Sequence, residues 1–233
     1  MMDFESILVR WVHQEEATLY PAHRYVMDLE RDAAVELVSQ SQTILDAASE
    51  VTVLQRLSRH VDLYRVDFGL QAAEKAHTLL NGLIVGNAIV DPRRPVLPFA
   101  ARSFDCVICI GPLDWKFFDL WAFVDEVRRV TQERGRFVFS ALTVNSPYCS
   151  ARNCRVFRYL NHKDLRDITN IPGFAIEALN MIYQPRIIYS RYFNRLPIAL
   201  QEILLPPSVL SKLVSKASLF RLAGLCVVSL LKL

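Results

Sequence analysis

Three acids stand where short apolar runs end. Asp46 lies in Thr43–Ala47 (TILDA), Asp67 closes the run within Leu63–Phe68 (LYRVDF), and Asp114 follows RSFDCVICIGPL. A carboxylate there can accept hydrogen bonds from a ligand or carry a proton, because the carboxyl ends of parallel strands are where ligands meet an α/β sheet. His162 opens a later helical pattern; it reads either as a second proton carrier or as a surface residue at a helix start. Metal chemistry lacks the clustering it needs. His13, His23, His60, His77 and His162 are scattered singly, which argues against a zinc site. The five cysteines, Cys106, Cys109, Cys149, Cys154 and Cys226, are odd in number. Cys106 and Cys109 are three apart on one proposed strand and so face opposite ways, unable to share a metal or close a bridge easily. Buried thiols in a reducing, cytoplasmic compartment are expected.

The elements that hold these residues can be read from periodicity. Cys106–Ile110 is continuously apolar and stops at Gly111-Pro112, the pattern of a strand buried on both faces. Three strands precede it: Thr43–Ala47, Leu63–Phe68 and Leu83–Val85, the last followed by Gly86-Asn87-Ala88. Helices are expected over 53–60 and over Leu70–Asn81, where Gly82 supplies a C-terminal stop. In Leu120–Val130 a helix has Trp121, Val124, Val127 and Val130 spaced by threes, and Gly135 then turns the chain into a fifth strand, Arg136–Leu142. Alternating strands and helices predict a doubly wound, mostly parallel α/β sheet.

Length and composition fit one large domain with an appendage. The chain has 233 residues, is 52% apolar and carries a net charge of +3. That charge, without a Lys/Arg-rich run, points away from nucleic acid. Residues 1–40 read as helices: Phe4, Ile7, Leu8, Trp11 and Val12 form one stripe, and a second pattern runs from Pro21 to Val38. His13, Tyr20, His23 and Tyr25 gather around the break as a lid or as plain helix-end residues. Met1–Arg10 contains Asp3 and Glu5 and does not read as a signal peptide. No run reaches the roughly 18 apolar residues of a spanning helix. The expected organisation is an N-terminal helical cap over 1–40 and one α/β domain over 41–233.

Three segments of residues 43–179 carry a resemblance. SFDCVICIGPLDW is similar to "sFDvVxxxxvLeh", EVRRVTQERGRFVFS to "EvrRvLkpGGrlvfs", and RYLNHKDLRDITNIPGFAIEAL to "ryltxeeLxxllxxaGFxvexl". These are segments of the class I S-adenosylmethionine-dependent methyltransferases of type 11, in the right order and spacing. The resemblance implies a seven-stranded Rossmann-like methyltransferase fold with S-adenosylmethionine as cofactor. It implies that Asp67 accepts hydrogen bonds from the ribose diol, although an N-cap of the following helix is the rival role. Phe68 follows it in the same contact set. Asn87 would offer the adenine an acceptor oxygen and Ala88 a backbone N–H, against a plain turn there. Ile110 and Gly111 would flank the methionine part, and Asp114 would lie nearest the methyl group. Asp46 and Ala48 belong to the first loop, where the family has an acid followed by G-x-G-x-G. Here the glycine positions hold Ala48, Glu50 and Thr52. Without glycine the backbone cannot pass as close beneath a cofactor, and Glu50 would set its charge against the carboxylate of the methionine moiety.

The tail has its own character. Phe174–Ile182 and Leu225–Leu231 read as the sixth and seventh strands. Between them, 183–207, with four prolines, reads as an insertion or substrate cover. Ser208–Leu222 is amphipathic, and beyond Glu202 there is no acid while Lys212, Lys216, Arg221 and Lys232 remain. It reads as a core helix or as a peripheral membrane contact through 208–222. Two functions stand: methyl transfer to a small-molecule, glycan or lipid-linked acceptor, or a non-catalytic relative that serves a protein partner as an interaction or assembly module.

Overall fold

A computed structural model describes residues 8–9, 21–57, 60–147, 149, 153–184, 193–204 and 223–233. Seven strands form one sheet: β1 (Thr43–Ala47), β2 (Asp62–Asp67), β3 (Ile84–Ile89), β4 (Phe104–Cys109), β5 (Thr131–Leu142), β6 (Phe174–Tyr183) and β7 (Ala223–Lys232). Their order is β3-β2-β1-β4-β5-β7-β6. β7 runs antiparallel to both β5 and β6, and the pairs among β1 to β5 are parallel. The expected mostly parallel, methyltransferase-like sheet is therefore what the chain forms. Cys106, Val107, Ile108 and Cys109 are fully enclosed at its centre, as an apolar run covered on both faces must be.

Among the described residues six helices accompany the sheet: α1 (Pro21–Val38), α2 (Val51–Gln55), α3 (Leu70–Leu79), α4 (Leu120–Val130), α5 (His162–Thr169) and α6 (Ile198–Leu204). α4 buries Leu120, Phe123, Val124, Val127 and Val130 and is capped by the Asp119 side chain, which accepts from the Ala122 amide. Trp121 faces outward, half of it exposed; the stripe runs through Phe123 instead, one helical step round. α2 starts two residues earlier than expected and ends at Gln55. α1 packs against α2, α6 and the β5–β7 side of the sheet. His13, Tyr20 and the amphipathic stretch 208–222 lie outside the described residues. Among the described residues no helix is long and apolar enough to cross a membrane.

Two strands depart from expectation, and glycine explains both. β3 runs on through Gly86, Asn87 and Ala88 to Ile89. A Cβ at Gly86 would meet the Tyr64 ring at 3.1 Å, so this glycine serves close packing between neighbouring strands rather than a turn. β5 begins at Thr131, and Gly135 lies inside it. There a Cβ would meet Thr131 Cγ2 at 2.7 Å, the Gln132 carbonyl at 2.9 Å and the Asp105 carbonyl at 3.0 Å. Two of these neighbours are backbone and cannot move aside cheaply. Gly135→Ala is expected to destabilise the domain by about 1–3 kcal/mol, read as a lower urea midpoint with unchanged slope.

Candidate cofactor site

The strand order reverses between β1 and β4, and the carboxyl ends of β1, β2 and β4 meet there. In α/β sheets ligands bind at such a switch point. The register pairs Asp46 of β1 with Arg65 of β2. Arg65 and Asp67 are two apart on one strand and share a face. The consequence is a closed ionic cluster. Arg65 holds both oxygens of Asp67, Nε to Oδ2 at 2.9 Å and Nη2 to Oδ1 at 2.7 Å. Its Nη1 donates to Asp46 Oδ2 and, at 3.0 Å, to the Ser49 carbonyl. Asp46, Arg65 and Asp67 are all 0% exposed. Burial pushes the Asp46 carboxyl up to about 6, even against the attraction of Arg65.

The loop after β1 fills the place of the missing glycines with side chains that find internal partners. Ala48 takes the left-handed conformation at φ 53°, and its amide donates to the Val66 carbonyl at 2.8 Å. Ser49 Oγ accepts from the Ile110 amide at 2.8 Å, and Ser140 Oγ accepts from the Gly111 amide at 2.9 Å. Gly111 has φ 100°, which explains a glycine there. Glu50 does not face the cleft as a repelling charge. Its Oε2 takes Arg31 of α1, with Nε at 3.2 Å and Nη2 at 3.1 Å, and also accepts from the Thr52 hydroxyl. Val51 and Thr52 escape positive φ because the loop turns directly into α2.

The remaining candidates are spread around this cluster. Phe68 is buried beside Asp67 and meets Phe118 at 5.1 Å and Trp115 at 6.5 Å between ring centroids. A cavity of about 370 Å³ opens next to it, lined by Phe68, residues 89–93 and Phe117. Asn87 and Ala88 are not in a turn after β3 but inside it, level with Arg65 and Val66. The Asn87 side chain is exposed and lines a shallow hollow against α3. The residue level with Asp67 is Ile89, and Asp91 is the acid that follows the strand end. Asp114 is buried in a 3-10 turn (Pro112–Asp114), and its Oδ1 accepts from the Leu142 amide at 2.7 Å. Burial pushes its carboxyl well above the usual carboxylate range, and nearby Glu30 adds to this. Burial likewise raises Glu30 to about 7, against a hydrogen bond from Ser140. His162 is the exposed first residue of α5. Among the described residues no three His, Cys, Asp or Glu side chains lie close enough to hold a metal.

Arg65, Arg31 and Asp91 escape a reading of the sequence. The alternation of LYRVDF does put Arg65 on the face of Asp67, but the pairing with Asp46 needs the strand register. Asp91 would follow from the true end of β3.

Residues 32–139 match the family described as a methyltransferase domain. No curated protein matches the sequence. Among solved structures, the [4+2]-cyclase SpnF is similar at 13% identity, with 95% of this chain and 85% of that one covered and a TM-score of 0.62. A S-adenosylmethionine-dependent methyltransferase from Aquifex aeolicus is 10% identical with both chains covered in full and a TM-score of 0.58. A geranyl diphosphate C-methyltransferase from Streptomyces coelicolor is 12% identical over 88% of this chain and 76% of that one, with a TM-score of 0.57. At such identities the likeness is one of fold.

The residues as arranged do not fit S-adenosylmethionine, the cofactor this family implies. Both oxygens of Asp67 are taken, its side chain is enclosed, and the amides of Ala48, Ile110 and Gly111 already have acceptors. The charge on Glu50 gives a separate check on the loop. Removing Arg31 leaves that buried carboxylate without its arginine. Arg31→Leu should therefore destabilise the domain by about 3–5 kcal/mol, measured by urea unfolding at neutral pH.

Proposed function

We propose that the chain transfers the methyl group of S-adenosylmethionine to a small-molecule, glycan or lipid-linked acceptor. One observation carries this reading: within the matched residues 32–139, Asp46, Asp67, Ile110 and Gly111 converge at the switch point of a methyltransferase sheet, with Asp114 just beyond. Methyl transfer from a sulfonium can run largely on positioning, so the lack of a poised base at Asp114 does not count against it. The apolar cavity beside Phe68 and Phe117 supports a place for a flat ring, with Asp91 at its edge as an acceptor. Binding requires Arg65 to release Asp67, so affinity in the high micromolar to millimolar range is expected. Isothermal calorimetry with S-adenosylmethionine and its demethylated product is the test. Absence of both heat and a thermal shift at millimolar ligand would overturn the reading.

The internal partners of Asp46, Asp67 and the Ile110 and Gly111 amides favour a second reading, a non-catalytic module for a protein partner. It predicts a folded protein that stays inert to both ligands.

The finer proposal concerns the acceptor's location. α6 exposes Ile198, Leu200 and Ile203, and the chain beyond Glu202 is basic and free of acids. This supports contact with an anionic membrane surface, where a lipid-linked acceptor would be met. The chain should sediment with phosphatidylglycerol vesicles at low salt and be released by high salt; a fully soluble fraction at low salt would dismiss the contact.

A further inference from the structure

The cleft's acids are already matched by a cation from the chain itself. Asp46 and Asp67 rise from adjacent parallel strands onto one face and are wholly enclosed. Two carboxylates brought together without water repel each other and lose their hydration. Arg65 answers both problems. Its planar fork gives Asp67 two parallel N–H bonds, and its third nitrogen serves Asp46 and the Ser49 carbonyl. A lysine could not do this, having a point charge in place of a fork.

We propose that Arg65 is an internal stand-in for the cofactor, competing with S-adenosylmethionine for Asp67 and Asp46. The proposal rests on the methyl-transfer reading above for the identity of the competing ligand. The chemistry of the two is parallel. A ribose diol offers Asp67 two hydrogen-bond donors, as the guanidinium does, and a sulfonium brings one positive charge, as the guanidinium does. With Arg65 in place the cleft is complete and closed; with Arg65 withdrawn it exposes two carboxylates suited to a cationic, diol-bearing ligand. Only the withdrawn fraction binds, so the apparent affinity of the wild-type chain is reduced by that fraction.

The test compares the full-length wild-type chain with Arg65→Ala, by calorimetry and by thermal unfolding. Arg65→Ala should melt lower by roughly 10 °C, recover most of that loss in millimolar methylguanidinium, which has no effect on the wild type, and bind S-adenosylmethionine on the order of a hundredfold more tightly. Equal affinity in the two forms overturns the proposal and leaves the methyl-transfer reading standing. Rescue by methylguanidinium with no binding of S-adenosylmethionine to either form overturns both. Failure of methylguanidinium to raise the melting temperature of a folded Arg65→Ala overturns the stand-in role. Should Arg65→Ala not fold, Arg65→Lys carries the affinity arm, since a point charge holds Asp67 less well than the fork, and the wild-type chain supplies another. Its Arg65 Nε–H should exchange slowly with solvent and lose that protection at saturating S-adenosylmethionine. Protection that persists in the ligand-bound protein overturns the competition.

Discussion

Burial of the strand ends is the constraint on which this structure turns. β1, β2 and β4 finish inside the protein, and the polar groups there have little water to turn to. Each must find a partner in the chain or carry a desolvation cost of a few kcal/mol. The response is consistent along the cleft. Ser49 closes the Ile110 amide, Ser140 closes the Gly111 amide, and Arg65 closes Asp46 and Asp67 together. Ser140 in turn bonds Glu30 of α1, and Arg31 of the same helix neutralises Glu50. The N-terminal helix is thereby drawn into the same polar system as the sheet.

Seen this way, the loop after β1 trades room for bonds. A glycine there leaves space and satisfies nothing. Ala48 accepts the left-handed conformation at a cost of about 1 kcal/mol, and the two residues after it carry side chains that reach other elements. Ser49 ties β1 to β4 across the switch point, and Glu50 ties the loop to α1. The loop is short of open donors for a ligand and rich in links that hold the fold. Glu50→Gly would therefore remove a structural link as well as open space.

Much of the fold was legible because the central strands are extreme. β4 is continuously apolar, α4 is strongly amphipathic, and α5 opens at His162 as its pattern implies. Glycine misleads as punctuation at two positions. Gly86 and Gly135 both lie inside strands, chosen because a Tyr64 ring or a neighbouring backbone comes too close for a Cβ. A sequence records that a glycine is present but not whether it frees the backbone or makes room for a neighbour. Misplacing the end of β3 then displaced the strand-end position from Asp91 to Asn87. The site was legible only in its acids. Asp46 and Asp67 stand out by position, while Arg65 reads as an ordinary strand residue until the register sets it against Asp46.

The charge count within the triad explains why its state is delicately set. Two carboxylates face one guanidinium, so the cluster carries an excess negative charge when both are ionised. Asp46 registers this, with its carboxyl raised to about 6 by burial that Arg65 only partly offsets. A second positive charge cannot enter while the guanidinium occupies the fork, and the guanidinium cannot leave without stranding two buried acids. Stability and access are opposed through one side chain. An arginine two residues before a strand-end acid is thus enough to couple the integrity of the sheet to the chemistry at its edge, with no change in the strands themselves.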